Sequence, residues 1–165
     1  MLCTRKNKMI EVKGNLWNYE VDAIVITTNG FVKNNGEAVM GAGCAAEAKN
    51  KFPSLPSHLG RHLREQGNTL CIFWGMIRGY NGEDGTEWEQ DLITFPVKHN
   101  WWEKADLDLI EKSSFKLRDW ANECPHWKKI LMPRPGCGNG GLDWGNVKPI
   151  LEKYLDDRFF VITYG

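Results

Sequence analysis

Net charge, a paired-cysteine motif and a long apolar run are all missing from this 165-residue sequence. The 21 Lys+Arg balance 21 Asp+Glu, which argues against a protein that coats nucleic acid by bulk electrostatics, since that takes a basic surplus. A local basic face is not excluded. No apolar stretch approaches the roughly 20 residues that span a bilayer. The start, Met1-Leu2-Cys3-Thr4-Arg5-Lys6-Asn7-Lys8, has the charge of a secretion signal without the apolar run that follows one. A cytoplasmic protein with no membrane partner is therefore expected. Cys3, Cys44, Cys71, Cys124 and Cys137 are odd in number and scattered, with no Cys-x-x-Cys. That disfavours a zinc knuckle or a redox dithiol, and neither a metal site nor a resident cofactor is expected. Repeats, low-complexity tracts and Pro/Ser-rich linkers are absent too. With 42% hydrophobic and 25% charged residues, the chain reads as one globular domain over residues 1–165.

Buried-strand runs alternate with helical patterns. Met9–Val12, Thr69–Trp74, Gln90–Phe95, Ile130–Met132 and Phe159–Thr163 read as strands, and Ala23-Ile24-Val25-Ile26-Thr27 as a strand covered on both faces. Gly43–Phe52, ended by Phe52-Pro53, Ser57–Gln66, stopped by Gly67, Asp106–Ala121 and Trp144–Leu155 read as helices. The turn-rich Gly75–Glu89 reads as the long tip of a hairpin. This order predicts a three-layer α/β/α domain around a central mixed sheet.

Two glycine loops carry the chemical information. Met40-Gly41-Ala42-Gly43-Cys44-Ala45-Ala46 and Arg134-Pro135-Gly136-Cys137-Gly138-Asn139-Gly140-Gly141 each follow a buried strand and lead into a helix. In that setting backbone N–H groups and a helix N-terminus make an anion site. Parallel strands bring both loops to one sheet edge, where together they could clamp a diphosphate. The plainer alternative is that the glycines serve tight turns and close packing. Neither loop is followed by Lys-Ser/Thr, so a nucleoside-triphosphate P-loop is disfavoured. Cys44 and Cys137 lie near helix N-termini, which lowers a thiol pKa. A cysteine phosphatase, however, needs an arginine where Asn50 and Asp143 stand.

At these residues the sequence resembles the macrodomain family, whose members bind ADP-ribose. Val21–Asn29 resembles the strand motif VDAIVNAAN, and Pro133–Trp144 resembles the family's phosphate loop. Met40–Ala45, followed by Lys49-Asn50-Lys51-Phe52-Pro53, resembles the first loop and helix. MGAGCA and GCGNGGLDW are most similar to the terminal ADP-ribose glycohydrolase class, and within it to antitoxin macrodomains that remove ADP-ribose from DNA. Phe95-Pro96-Val97-Lys98-His99-Asn100-Trp101-Trp102 stands where those carry FPTKxHW.

The resemblance implies that Asn15 and Leu16 hold adenine, with Asn15 where the family has an aspartate. Asn29 is to contact the distal ribose, and Ile26 replaces the motif's first asparagine. Gly41, Ala42, Gly43, Cys44 and Ala45 are to close over the distal ribose and phosphate. Gly136, Cys137, Gly138, Asn139 and Gly140 are to cradle the diphosphate, and Tyr164 is to form a lid over adenine. Lys98 is implied as the catalytic residue, attacking the anomeric carbon as a neutral amine or stabilising the leaving group as a cation. Phe95, Trp101 and Trp102 are expected to bury it, and Arg134 to add charge. Gly140 stands where eukaryotic members have a catalytic aspartate. His99, with no partner identifiable from sequence, is expected to be structural or superficial. Of Trp101 and Trp102, one is expected beneath the long helix and the other is free to stack on an unpaired base. The preferred function is hydrolysis of an ADP-ribosyl bond, on a DNA base. The alternatives are a non-catalytic ADP-ribose module, or a phosphatase or deacylase of small ADP-ribose derivatives. A monomer is expected, with ADP-ribose as ligand or product and a toxin as a further partner.

Overall fold

The computed structural model describes residues 7–80, 83, 85 and 87–163. Six strands form one sheet: β1 (Ile10–Lys13), β2 (Ala23–Asn29), β3 (Cys71–Tyr80), β4 (Glu87–Lys98), β5 (Ile130–Pro133) and β6 (Phe159–Thr163). Their order is β1-β6-β5-β2-β4-β3. Every neighbouring pair is parallel except the β3–β4 hairpin. Helices α1 (Gly43–Lys51), α2 (Leu55–Gln66), α3 (Leu107–Glu123) and α4 (Trp144–Glu152) cover it.

The two-residue period of β2 explains the layering. Ala23 and Val25 face a core shared with α3 and α4 through Ile110, Leu117, Val147 and Leu151. Ile24 and Ile26 face a second core shared with Ala48 of α1 and Leu55, Leu59 and Leu63 of α2. A strand buried on both faces thus reads as a continuous apolar run. The expected three-layer α/β/α architecture with a mixed sheet is the one found.

Local chemistry moves some boundaries. α2 begins before Ser57 because Pro56 occupies its first turn, where a missing N–H costs nothing. The long tip expected over Gly75–Glu89 shrinks, since β3 continues to Tyr80 and β4 starts at Glu87. Gly75 is a bulge, not a turn. The β3–β4 register shifts between Phe73 and Ile77, Gly75 has φ +60°, and its N–H donates to Asp91 Oδ1 at 2.7 Å. α4 ends at Glu152, short of the expected Leu155. Among the described residues no helix is long and apolar enough to cross a membrane.

Candidate functional site

The carboxyl ends of β2, β4, β5 and β6 point to one edge, and there a cavity of about 650 Å³ opens. That volume suits a small organic ligand, and the edge is where open α/β sheets bind ligands. β2 delivers Asn29, β4 Lys98, β5 Pro133 and Arg134, and β6 Ile162. The two glycine loops, far apart in sequence, form facing walls: Gly41, Ala42, Gly43, Cys44 and Ala45 on one, Gly136, Gly138, Asn139 and Gly140 on the other.

The first wall is the N-terminus of α1. Ala42 is its cap residue, makes no side-chain capping bond, and no acid occupies the first turn. The opening N–H groups and the positive end of the dipole are thus left for a ligand, an arrangement that favours an anion. The facing loop turns through Gly136 (φ +76°) and Gly141 (φ +74°). It is closed by Leu142 N–H donating to Gly136 O at 2.9 Å and tied to the β4–α3 connection by Ala105 N–H donating to Gly140 O at 2.9 Å. A Cβ on Gly41 or Gly138 would meet no atom within 4 Å, so both backbones border open space.

Lys98 lines the end of the cavity away from Arg134 and Ile162. Its Nζ donates to Asn139 O at 3.1 Å and Trp101 O at 3.4 Å, so the β4 lysine is latched to the glycine loop. Its main-chain carbonyl accepts from Asn68 Nδ2 at 2.9 Å. The apolar shelter expected around it is not built. Trp101 and Trp102 are 53% and 58% exposed, and Phe95 is spent in the core. Neither tryptophan packs beneath α3. They meet edge to face at 5.5 Å, and Trp102 leans on Phe31 at 5.4 Å. Arg134 is committed elsewhere, pairing with Glu11 at 3.4 Å and stacking on Trp144 at 4.8 Å. His99 does have a partner: its Nε2 lies 2.8 Å from Asp106 Oδ2, a bond that pulls the Asp106 carboxyl below its ordinary range.

Other expected site residues fall differently. Leu16 lines the cavity, while Asn15 stands outside it, exposed, with Oδ1 accepting from Trp17 N–H at 2.9 Å. Asn29 is on the wall, but both ends of its amide hold the chain that follows: Nδ2 donates to Val39 O at 3.0 Å and Oδ1 accepts from Phe31 N–H at 2.9 Å. Cys137 does not line the cavity. Its Sγ lies 3.6 Å from Pro135 O, and the residue packs on the α3–α4 core. Tyr164 lies outside the described residues. Burial pushes the thiols of both Cys44 and Cys137 up, against the lowering expected near a helix N-terminus. Among the described residues no group of three or more His, Cys, Asp or Glu could hold a metal ion. Thr27, Thr28, Val39, Glu47, Val97 and Ile162 also line the wall and were not legible, since nothing about their types marks a ligand contact.

No family model matches the chain. The fold is that of a macrodomain. The macrodomain of Thermus aquaticus DarG overlays with TM-score 0.70 at 25% identity, covering 96% of this chain and 99% of that one. Thermosipho africanus DarTG in complex with ADP-ribose gives TM-score 0.77 at 20% identity over 95% of this chain and 41% of that one. Among macrodomains, the chain resembles those of DNA ADP-ribosyl glycohydrolases. The Thermus aquaticus DNA ADP-ribosyl glycohydrolase is 29% identical over 88% of this chain and 37% of its own length. A Thermosipho africanus DNA ADP-ribosyl transferase–DNA ADP-ribosyl glycohydrolase fusion protein is 28% identical over 75% of this chain and 34% of its own length. The chain thus spans about a third of the length of these curated relatives.

Proposed function

We propose that the cavity binds ADP-ribose and that the protein hydrolyses an ADP-ribosyl bond on a DNA base, with Lys98 acting at the distal ribose. One observation carries the reading: a lysine, a bare helix N-terminus and a glycine loop converge on one cavity. The α1 N-terminus and the 136–140 loop suit a diphosphate held from two sides. Lys98, at the far end of the cavity from Leu16 and Ile162, then meets the sugar whose anomeric carbon carries the base.

Two chemistries are open to the amine. Uncharged, it adds to the anomeric carbon as the base leaves; the ribose opens to an imine, and water returns the aldehyde and free amine. Charged, it stabilises the electrons departing on the base. The two carbonyls that accept from Nζ suit both, since an amine carries two N–H donors and an ammonium three. Borohydride separates them, since only an imine is reduced to a stable adduct of ADP-ribose on Lys98. By its similarity to the Thermosipho africanus fusion protein, the companion toxin would be a DNA ADP-ribosyl transferase.

The test compares wild type and Lys98→Ala on an ADP-ribosylated oligonucleotide, with calorimetry on free ADP-ribose. The variant is expected to keep affinity within a fewfold and lose release by about 100-fold or more. Binding without release by wild type would leave a non-catalytic module. Release of phosphate or acetate from small ADP-ribose derivatives, with none from DNA, would make it a small-molecule enzyme.

A further inference from the structure

A second hollow, of about 620 Å³, lies beside the first and shares Val39, Met40, Gly41 and Trp101 with it. The partition is stiff. Val39 N–H donates to Phe31 O at 3.2 Å, and the Asn29 amide bridges Phe31 N–H and Val39 O, closing residues 29–39 into a clamped loop. This second hollow is also lined by Phe31 from that loop, Pro53 and Pro56, and it carries two surface lysines, Lys33 and Lys49. Lys33 makes only a loose pair with Glu37, at 3.9 Å. At its rim the rings of Phe31, Trp101 and Trp102 touch edge to face, leaving the two tryptophans more than half exposed.

We propose that this hollow is a subsite for the nucleotide adjoining the modified base, in a single strand of nucleic acid. The inference rests on the function proposed above. If ADP-ribose fills the first cavity with its distal ribose at Lys98, whatever is joined to that ribose leaves past Trp101 and enters the second hollow. Exposed aromatic faces stack any unpaired base, and neighbouring ammonium groups follow its phosphates. A hollow with flat rings at its mouth and, on its wall, two cations against the single carboxylate of Glu37 matches that alternation of base and phosphate. Duplex DNA offers no free base face to the rings, so the unpaired strand is the form that fits.

Binding of a short unmodified single-stranded oligodeoxynucleotide tests it, read by fluorescence anisotropy with and without saturating ADP-ribose. Lys33→Glu/Lys49→Glu is expected to weaken that binding by about tenfold or more, while ADP-ribose affinity from calorimetry stays unchanged. In Lys33→Ala/Lys49→Ala the log–log salt slope should flatten by about 1.4, two phosphate contacts at about 0.7 each. Equal oligonucleotide affinity in wild type and the charge-reversed variant overturns the proposal. So does preference for duplex, or for an acidic peptide of equal charge, over the single strand. Failure of ADP-ribose to bind would instead overturn the reading of the first cavity; the titration without ADP-ribose still decides the second.

Discussion

At Gly140 a Cβ would stand 2.7 Å from the Gly136 Cα and 2.8 Å from the Ala105 Cβ, and would run into the Gly136 carbonyl. An aspartate there, where the resemblance places one in eukaryotic members of the class, therefore has no room in this loop. Gly140→Asp should cost about 1–3 kcal/mol of stability, as overpacking does, and abolish ADP-ribose binding. Urea unfolding and calorimetry check the two halves; a stable variant that binds would show that the loop yields. Glu11, the partner of the cavity-lining Arg134, sets a different condition. Lys148 at 2.7 Å and Trp144 Nε1 at 2.9 Å hydrogen-bond its carboxylate, with Arg134 nearby, and hold it below the ordinary glutamate value. A lowered carboxylate pKa gives stability that is present above the unfolded value, about 4.3, and is lost as pH falls through the folded one. The urea midpoints of wild type and Glu11→Gln should therefore differ at pH 7 and converge below about pH 4. A gap that persists at pH 3 would mean the Glu11 clasp acts through packing and not through charge.

Elements with one dominant local cause were readable from sequence. The β2 run, the Phe52-Pro53 stop of α1 and the Asp106 cap of α3, whose Oδ1 accepts from Asp108 N–H at 2.9 Å, each follow from a few neighbouring residues. Both glycine loops were legible for the same reason, since positive φ and close approach select glycine. What depended on partners distant in sequence was not. Gly75 looked like a turn because nothing nearby reveals that Asp91 is waiting for its N–H. Asn29 stands on the cavity wall, as expected, but its bond to Val39 O, ten residues on, could not be read locally. The tryptophans beside Lys98 looked like shelter because their sequence neighbours do not reveal that Trp102 leans on Phe31. Asp91 is the tertiary anchor of the β3–β4 element, buried and accepting from Gly75 N–H at 2.7 Å, Trp127 Nε1 at 2.7 Å and His126 Nε2 at 3.2 Å. Asp91→Ala would leave the Trp127 and Gly75 donors without acceptors, at about 1–3 kcal/mol for each buried group. Loss of 2 kcal/mol or more in urea unfolding, with cooperativity kept, is the expected result, accompanied by faster exchange of β3 amides. A change below about 0.5 kcal/mol would mean that water replaces the carboxylate.

For the molecule as a whole, the cavity takes wall from four parallel strands and from loops over both helical layers. A ligand there touches parts of the chain that separate on unfolding, so binding and global stability are linked. At a concentration 100 times its dissociation constant a ligand adds about 2.7 kcal/mol to the native state. In a domain of this length that raises Tm by about 5–10 °C, at roughly 2–4 °C per kcal/mol. ADP-ribose should give that shift in a thermal melt. ADP should give less, because it leaves the Lys98 end empty, and ribose 5-phosphate less again, because it spans neither loop pair nor the Leu16–Ile162 end. Equal shifts for ADP and ADP-ribose would mean that the Lys98 end of the cavity adds no binding energy for the distal sugar. The lysine would then act on a group held by other contacts, and the site would have to be redrawn around the α1 N-terminus alone.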